Sequence, residues 1–282
     1  MHEKIAIMTD STSDIPKEII EEYGIQVVPL RILYKDIEYK DQVEISSEEV
    51  YERLEEEIPS TSLPSPADVM ELFERFKTEG FTHVLAIHLS SGLSGTAQMI
   101  ENLSHQVEDL VVKVVDSKNI SMGLGYTVIE AARKLAQNVN FETLVAHVEN
   151  ILSKMKVYFV LETLEYLKKG GRIGKVAGTL GQILNLKPII TVNEDGIYST
   201  HAKVRGRKQS LDRLFETIKE HLAKPMHNVA VCHGAAKEEA MELFERIKSV
   251  GNVGELLTSH VSPVIGVHTG PGTLGVVVYS TE

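Results

Sequence analysis

A chain of 282 residues with 40 acidic against 29 basic side chains has a net charge of -11, which excludes general nucleic-acid binding, because an acidic chain repels phosphate backbones and an anionic ligand must be held locally. An apolar fraction of 43% and a charged fraction of 24% exclude a disordered or fibrous chain and allow one large or two moderate cores. The single cysteine, Cys232, excludes a disulfide framework within the chain and a thiolate zinc cluster.

The first apolar run, IAIMTD (5–10), reads as a buried strand. It is too short for a signal peptide or a bilayer span, so a cytoplasmic protein without stable membrane insertion is expected. IPKEIIEEYG (15–24) reads as a helix with Pro16 in its first turn and Gly24 at its end. IQVVPLRILY (25–34) reads as strand, and SSEEVYERLEE starts a helix with Ser46 and Glu49 at capping-box spacing. PSTSLPSP (59–66) reads as a loop, after which Ser65 and Pro66 open another helix. HVLAIHL (83–89) and LVVKVVDS (110–117) are further strands, each followed by a helical segment. Repeated strand-helix units build parallel sheets with right-handed crossovers.

A long helix near 140–156 leads into strands VYFVLETL, KPIITVN, NVAVCHG, GELLTSHVS and GTLGVVVYS and helices RKQSLDRLFETIKEHLA and KEEAMELFERIKS. The expected fold class is therefore α/β with two α/β domains. Residues 1–149 form a mainly parallel sheet flanked by helices, and residues 150–282 a mixed sheet with helices.

Between the strand HVLAIHL and the next helix stands SSGLSGT (90–96). Ligands of open parallel sheets sit beyond the carboxyl ends of the strands, where loops meet helix N-termini. Free N–H groups and the positive helix end attract an anion there; glycines admit close approach, and Ser94 or Thr96 add hydroxyl donors. The competing account of Ser94 is a simple N-cap. The spelling Gly92-Leu93-Ser94-Gly95 places its second glycine one position too early for an esterase elbow. Neither SSGLSGT nor KGGRIGKV (169–176) supplies a Walker loop, and MGLGYTV completes no dinucleotide fingerprint. A carboxylate-sized anion fits better. Thr61 and Ser62 form a second hydroxyl-bearing loop that is equally well structural, His268 sits beside a Gly-Pro-Gly turn, and Arg172 ends a basic turn; taken alone, the last two read more simply as structural.

Taken together and in order, TDSTSDIP (9–16), TSLPS (61–65), LSSGLSGT (89–96), VVDS (114–117), LKKGGRI (167–173), KVRGRK (203–208) and HTGPGTLG (268–275) make a chain that resembles, over essentially its whole length, the DegV family of bacterial fatty-acid-binding proteins. The resemblance implies a two-domain α/β carrier with a long-chain fatty acid held between or beside the domains. It implies no catalytic residue, metal or other cofactor. The carboxylate contacts it implies are Thr61 and Ser94, joined by Arg172 and His268, so the candidate binding set is Thr61, Ser62, Ser94, Gly95, Thr96, Arg172 and His268. The family often has Lys before the threonine and Gln after the serine of the first loop, where this chain has Ser60 and Leu63.

Such proteins resemble carriers that present the fatty acid carboxyl to a separate ATP-using kinase, which makes an acyl-phosphate for lipid synthesis. The basic run Lys203, Arg205 and Arg207 is then a docking candidate, against the plainer reading of a solvated helix entry. Segments GTLGQILNL (178–186) and LGYTVIEAARKL (124–135) are tail-tunnel candidates whose apolar stripes would look the same as plain core. The rival function is a hydrolase or transferase with Ser94 as nucleophile and His268 as base. A metal site is weaker still, since Cys232 and His233 are adjacent on a strand and point to opposite faces.

Overall fold

The structure is a computed structural model that describes residues 3–179, 185–223 and 226–281. The first part runs β1 (Ile5–Asp10), α1 (Lys17–Tyr23), β2 (Gln26–Val28), β3 (Arg31–Leu33), β4 (Glu38–Lys40), α2 (Ser47–Arg53), β5 (Ser60–Ser62), α3 (Pro66–Thr78), β6 (His83–His88), α4 (Thr96–Ser104), β7 (Val111–Asp116), α5 (Met122–Leu135) and α6 (Phe141–Leu152). The second runs β8 (Met155–Val160), α7 (Glu165–Lys169), β9 (Ile189–Val192), β10 (Tyr198–Ala202), α8 (Arg207–Leu222), β11 (His227–Gly234), α9 (Lys237–Lys248), β12 (Val253–His260), α10 (Pro263–Thr269) and β13 (Thr273–Ser280).

The first sheet has the order β2-β1-β6-β7 and every pairing in it is parallel. The side-chain alternation of its strands sorts the core. Ala6, Met8, Val84 and Ala86 pack with Phe73, Phe76 and Ile100 of α3 and α4, whereas Ile5, Ile7, Leu85 and Ile87 face the other way, toward α5 and α6. The second sheet, order β10-β9-β8-β13-β11-β12, is mixed, with only β11 and β12 parallel. Val157, Phe159, Cys232 and Val277 turn to the α5 side, while Tyr158, Val160, Val231 and Val276 pack on α8 and α9. The result is five layers, helix on sheet on helix on sheet on helix, with one apolar cluster running from the first sheet through α5 to the second.

Two expectations change. The run 25–34 is two strands in different sheets, since Pro29 has no N–H to continue a ladder. The loop containing Thr61 holds a short strand, β5, which pairs antiparallel with β3 so that Thr61 stands opposite Ile32. This three-stranded sheet, order β4-β3-β5, packs on α2 and α10 through Ile32, Val50, Val264 and Val267. The capping box at Ser46 and Glu49 is present in both directions. Ser65 occupies the N-cap of α3 with Pro66 following it, but its hydroxyl caps no amide.

Candidate functional site

A cavity of about 200 Å³ opens beyond the carboxyl ends of β1 and β6. The sheet order reverses between these two strands, and that divergence leaves a crevice. Thr61 and Ser62 reach it from β5, Ser94 and Gly95 from the loop ahead of α4, Arg172 from just past α7, and His268 from α10. Thr96 stands behind, fully buried, with its Oγ1 2.9 Å from Ser94 Oγ. Residues some 200 positions apart thus converge: His268 Nε2 lies 2.8 Å from Thr61 Oγ1.

Burial pushes the His268 imidazole down to about 4, and the Arg172 charge pushes the same way, so the ring is neutral at neutral pH. Its Nδ1 is buried without a hydrogen-bond partner among the described residues. The tautomer that donates from Nε2 leaves the Thr61 hydroxyl hydrogen free for the cavity. Arg172 supplies the positive charge. Its Nε donates to the Leu93 carbonyl (3.3 Å) and one terminal nitrogen to the Gly170 carbonyl (2.8 Å), which braces the guanidinium at the cavity wall and leaves further donors available.

The loop SSGLSGT divides its labour. Ser90 Oγ donates to the Gly196 carbonyl in the β9–β10 turn (2.8 Å), and the Ser91 N–H donates to Asp116 (3.1 Å). Gly92 is forced by proximity, since a Cβ there would stand 2.7 Å from the Gly196 oxygen. The N-cap of α4 is Gly95, which offers no side chain; Ser94 Oγ takes the Thr96 N–H at 3.4 Å instead. Ser94 is therefore both a weak cap and a wall of the cavity.

A second, apolar pocket adjoins the first and shares Ile120, Tyr198 and Ile265 with it. Its free volume is about 30 Å³, between Val157 and Phe159 of β8, Cys232 of β11 and Val277 of β13. The arrangement is a chamber that sets hydroxyl, imidazole and guanidinium groups among leucine and isoleucine walls, sharing three wall residues with a smaller apolar pocket, and it is suited to a molecule with a charged head and an oily tail.

The residues 4–281 match the family model described as "Uncharacterised protein, DegV family". The chain belongs to the DegV family. A DegV domain-containing protein of Clostridium acetobutylicum is 46% identical over 277 residues, 98% of this chain and 99% of the relative. A DegV family protein from Thermus thermophilus, described by its fatty acid binding, superposes with a TM-score of 0.92 at 33% identity, covering 98% of this chain and 99% of that one. A stearic acid-binding protein from Eubacterium ventriosum gives a TM-score of 0.91 at 28% identity, covering 98% of each. DegV structures thus share the parallel and mixed sheets found here.

Within this DegV chain, the serine-hydrolase alternative gains nothing from the geometry. Ser94 Oγ is partnered by Thr96 and His268 by Thr61, with no hydrogen bond between Ser94 and His268. Among the described residues no group of three or more His, Cys, Asp and Glu side chains is placed to hold a metal ion. Cys232 faces the apolar pocket, and His233 turns away to pack against the His260 ring, centroids 4.2 Å apart and tilted at 59°. No described helix is long and apolar enough to cross a membrane. In the basic run Lys203 and Arg205 are exposed, but Arg207 is half-buried and forked onto Glu239. Helix segment 124–135 is central core and lines neither cavity; Ile120 and Ser121, just ahead of it, do. Of GTLGQILNL, residues 180–184 lie outside the described residues.

Two polar walls, Thr12 and Tyr198, carry no signal that singles them out in the sequence. Thr12 sits in the 3-10 turn after β1, held by Asp10, whose other oxygen accepts from the Leu89 N–H and lies 2.9 Å from His88 Nδ1. Tyr198 begins β10, a polar edge strand without an apolar run to announce it. His268 was seen, but its helix was not, although Ser262-Pro263 is the same start signal as Ser65-Pro66.

Proposed function

We propose that this DegV chain binds a long-chain fatty acid, anchors its carboxylate in the cavity lined by Arg172 and His268, and presents it to a separate ATP-using kinase for acyl-phosphate formation. In this reading Arg172, Thr61 and Ser94 contact the carboxylate directly. His268 orients Thr61, Ser62 and Gly95 complete the wall, and Thr96 sets the Ser94 hydroxyl. The tail passes Ile120, Tyr198 and Ile265 into the apolar pocket, where the parts before and after residue 150 meet. The observation that carries the reading is the contiguity of an anion-suited chamber and an apolar one.

Magnitudes divide the roles. Burying about 16 carbons at about 0.8 kcal/mol each gains on the order of 12 kcal/mol before ordering costs. Hydrogen bonds to a charged group add about 1.5 to 3 kcal/mol each. The tail sets affinity and the head sets orientation. A pocket with about 30 Å³ free is smaller than such a tail, so binding spreads its apolar walls.

Titration of the purified protein with palmitate tests the binding, and Ser94→Ala separates carrier from enzyme. A carrier binds palmitate a few-fold more weakly, whereas a Ser94-dependent hydrolase loses all turnover. For kinase coupling, Arg205→Glu is the cleaner probe, because Arg207 is committed to Glu239. Coupled acyl-phosphate formation falls about ten-fold with palmitate affinity within about two-fold of wild type; loss of palmitate binding instead removes the docking role.

A further inference from the structure

We infer that Asp14 and Asp41 are positioning residues for the carboxylate cavity: from two segments of the N-terminal half they grip the first turn of α10 and so fix His268 one turn onward. The inference rests on the fatty-acid reading for its ligand, not for its geometry. Pro263 opens α10 and has no N–H, which leaves the amides on either side of it to be satisfied. Asp14 Oδ1 accepts from the Ser262 N–H at 2.9 Å, and Asp41 Oδ1 accepts from the Val264 N–H at 3.0 Å. His268 follows Val264 by four residues and so stands over it on the same helix face. Val264, Ile265 and His268 all line the cavity.

Both carboxylates are almost wholly buried, Asp14 at 3% and Asp41 at 0% exposure. Asp14 is locked further by the Ser121 hydroxyl (2.5 Å) on Oδ2 and by Ser259 on its backbone carbonyl. Asp41 Oδ2 has no hydrogen-bond partner among the described residues. Burial above all pushes both carboxyls up, Asp14 well above the usual carboxylate range and Asp41 to about 7, and the neighbouring carboxyl groups push the same way, Asp41 on Asp14 and Asp10 on Asp41. Serine or asparagine would cap the same amides without burying two acidic groups. What the two carboxyl groups supply is a buried acceptor oxygen for each amide, held from a different segment of the chain, hence a fixed α10.

The test uses the full chain with palmitate, and with hexadecan-1-ol, which has the tail but no carboxylate. Asp41→Ala is expected to weaken palmitate about ten-fold or more while hexadecanol stays within about two-fold, and Asp41→Asn, which keeps an acceptor oxygen, to recover most of the palmitate affinity. The His268 ring resonance, followed by NMR against pH without ligand, is expected to titrate near 4 in the wild type and to move toward the ordinary histidine value in Asp41→Ala. If Asp41→Ala does not fold, Asp41→Glu, which keeps the carboxyl group and displaces the acceptor, takes its place with the same expected pattern. Unchanged palmitate affinity with an unmoved His268 titration overturns the inference, as does equal weakening of palmitate and hexadecanol. If the wild type binds neither molecule, the fatty-acid reading has failed, and the His268 titration alone decides the grip.

Discussion

Arg172 enters the cavity already braced by the Leu93 and Gly170 carbonyls, so little freedom is lost when an anion arrives. Removing it leaves no fixed cation among the described cavity walls. Arg172→Ala is expected to weaken palmitate by about 10- to 100-fold, measured by calorimetric titration, with Arg172→Lys between the two because it keeps the charge without the fork. His268 gives a second prediction with a defined sign. Its folded value of about 4 lies below the unfolded value of about 6.5. Between these the unfolded chain binds the extra proton, so stability is lost as pH falls from about 6.5 toward 4, by up to about 3 kcal/mol. Denaturation midpoints followed from pH 7 to pH 4 are expected to fall more steeply for wild type than for His268→Gln. Parallel slopes would contradict a buried neutral imidazole.

The loop ahead of α4 works through what it touches. Gly92 lies against the β9–β10 turn, and a methyl there meets the carbonyls of Asp195 and Gly196 at 2.9 and 2.7 Å. Gly92→Ala is expected to cost about 1 to 3 kcal/mol by overpacking, seen as a melting temperature lower by several degrees. No change would mean that loop and turn part freely. Legibility in the sequence follows the same local logic. The strand-loop-helix junction at SSGLSGT, the capping box at Ser46 and Glu49, and the long periodic helices are readable because neighbouring residues determine them. Strands β5 and β10 are not, because Ser60–Ser62 and Tyr198–Ala202 are polar segments extended by their pairing partners, β3 and β9. Nor is the grip on α10, whose donors and acceptors lie over 200 residues apart.

At the scale of the whole molecule, one apolar cluster links the two sheets through α5, so a ligand seated beside it stabilises the fold as a unit. At 100 times its dissociation constant, a fatty acid adds about 2.7 kcal/mol, which predicts a melting temperature about 5 to 10 °C higher; a thermal scan with and without palmitate checks this, and an unshifted transition contradicts it. The family motifs name Thr61, Ser62, Ser94, Gly95, Arg172 and His268 of the chamber, but the adjoining apolar pocket is invisible in sequence. Val157, Cys232 and Val277 look like any other core residues until three strands set them around one space. The most direct test of the central claim is native mass spectrometry of the purified protein, paired with analysis of its organic extract. The account predicts one long-chain fatty acid per chain, released on denaturation. A protein that carries no fatty acid and takes up none when palmitate is added would contradict it.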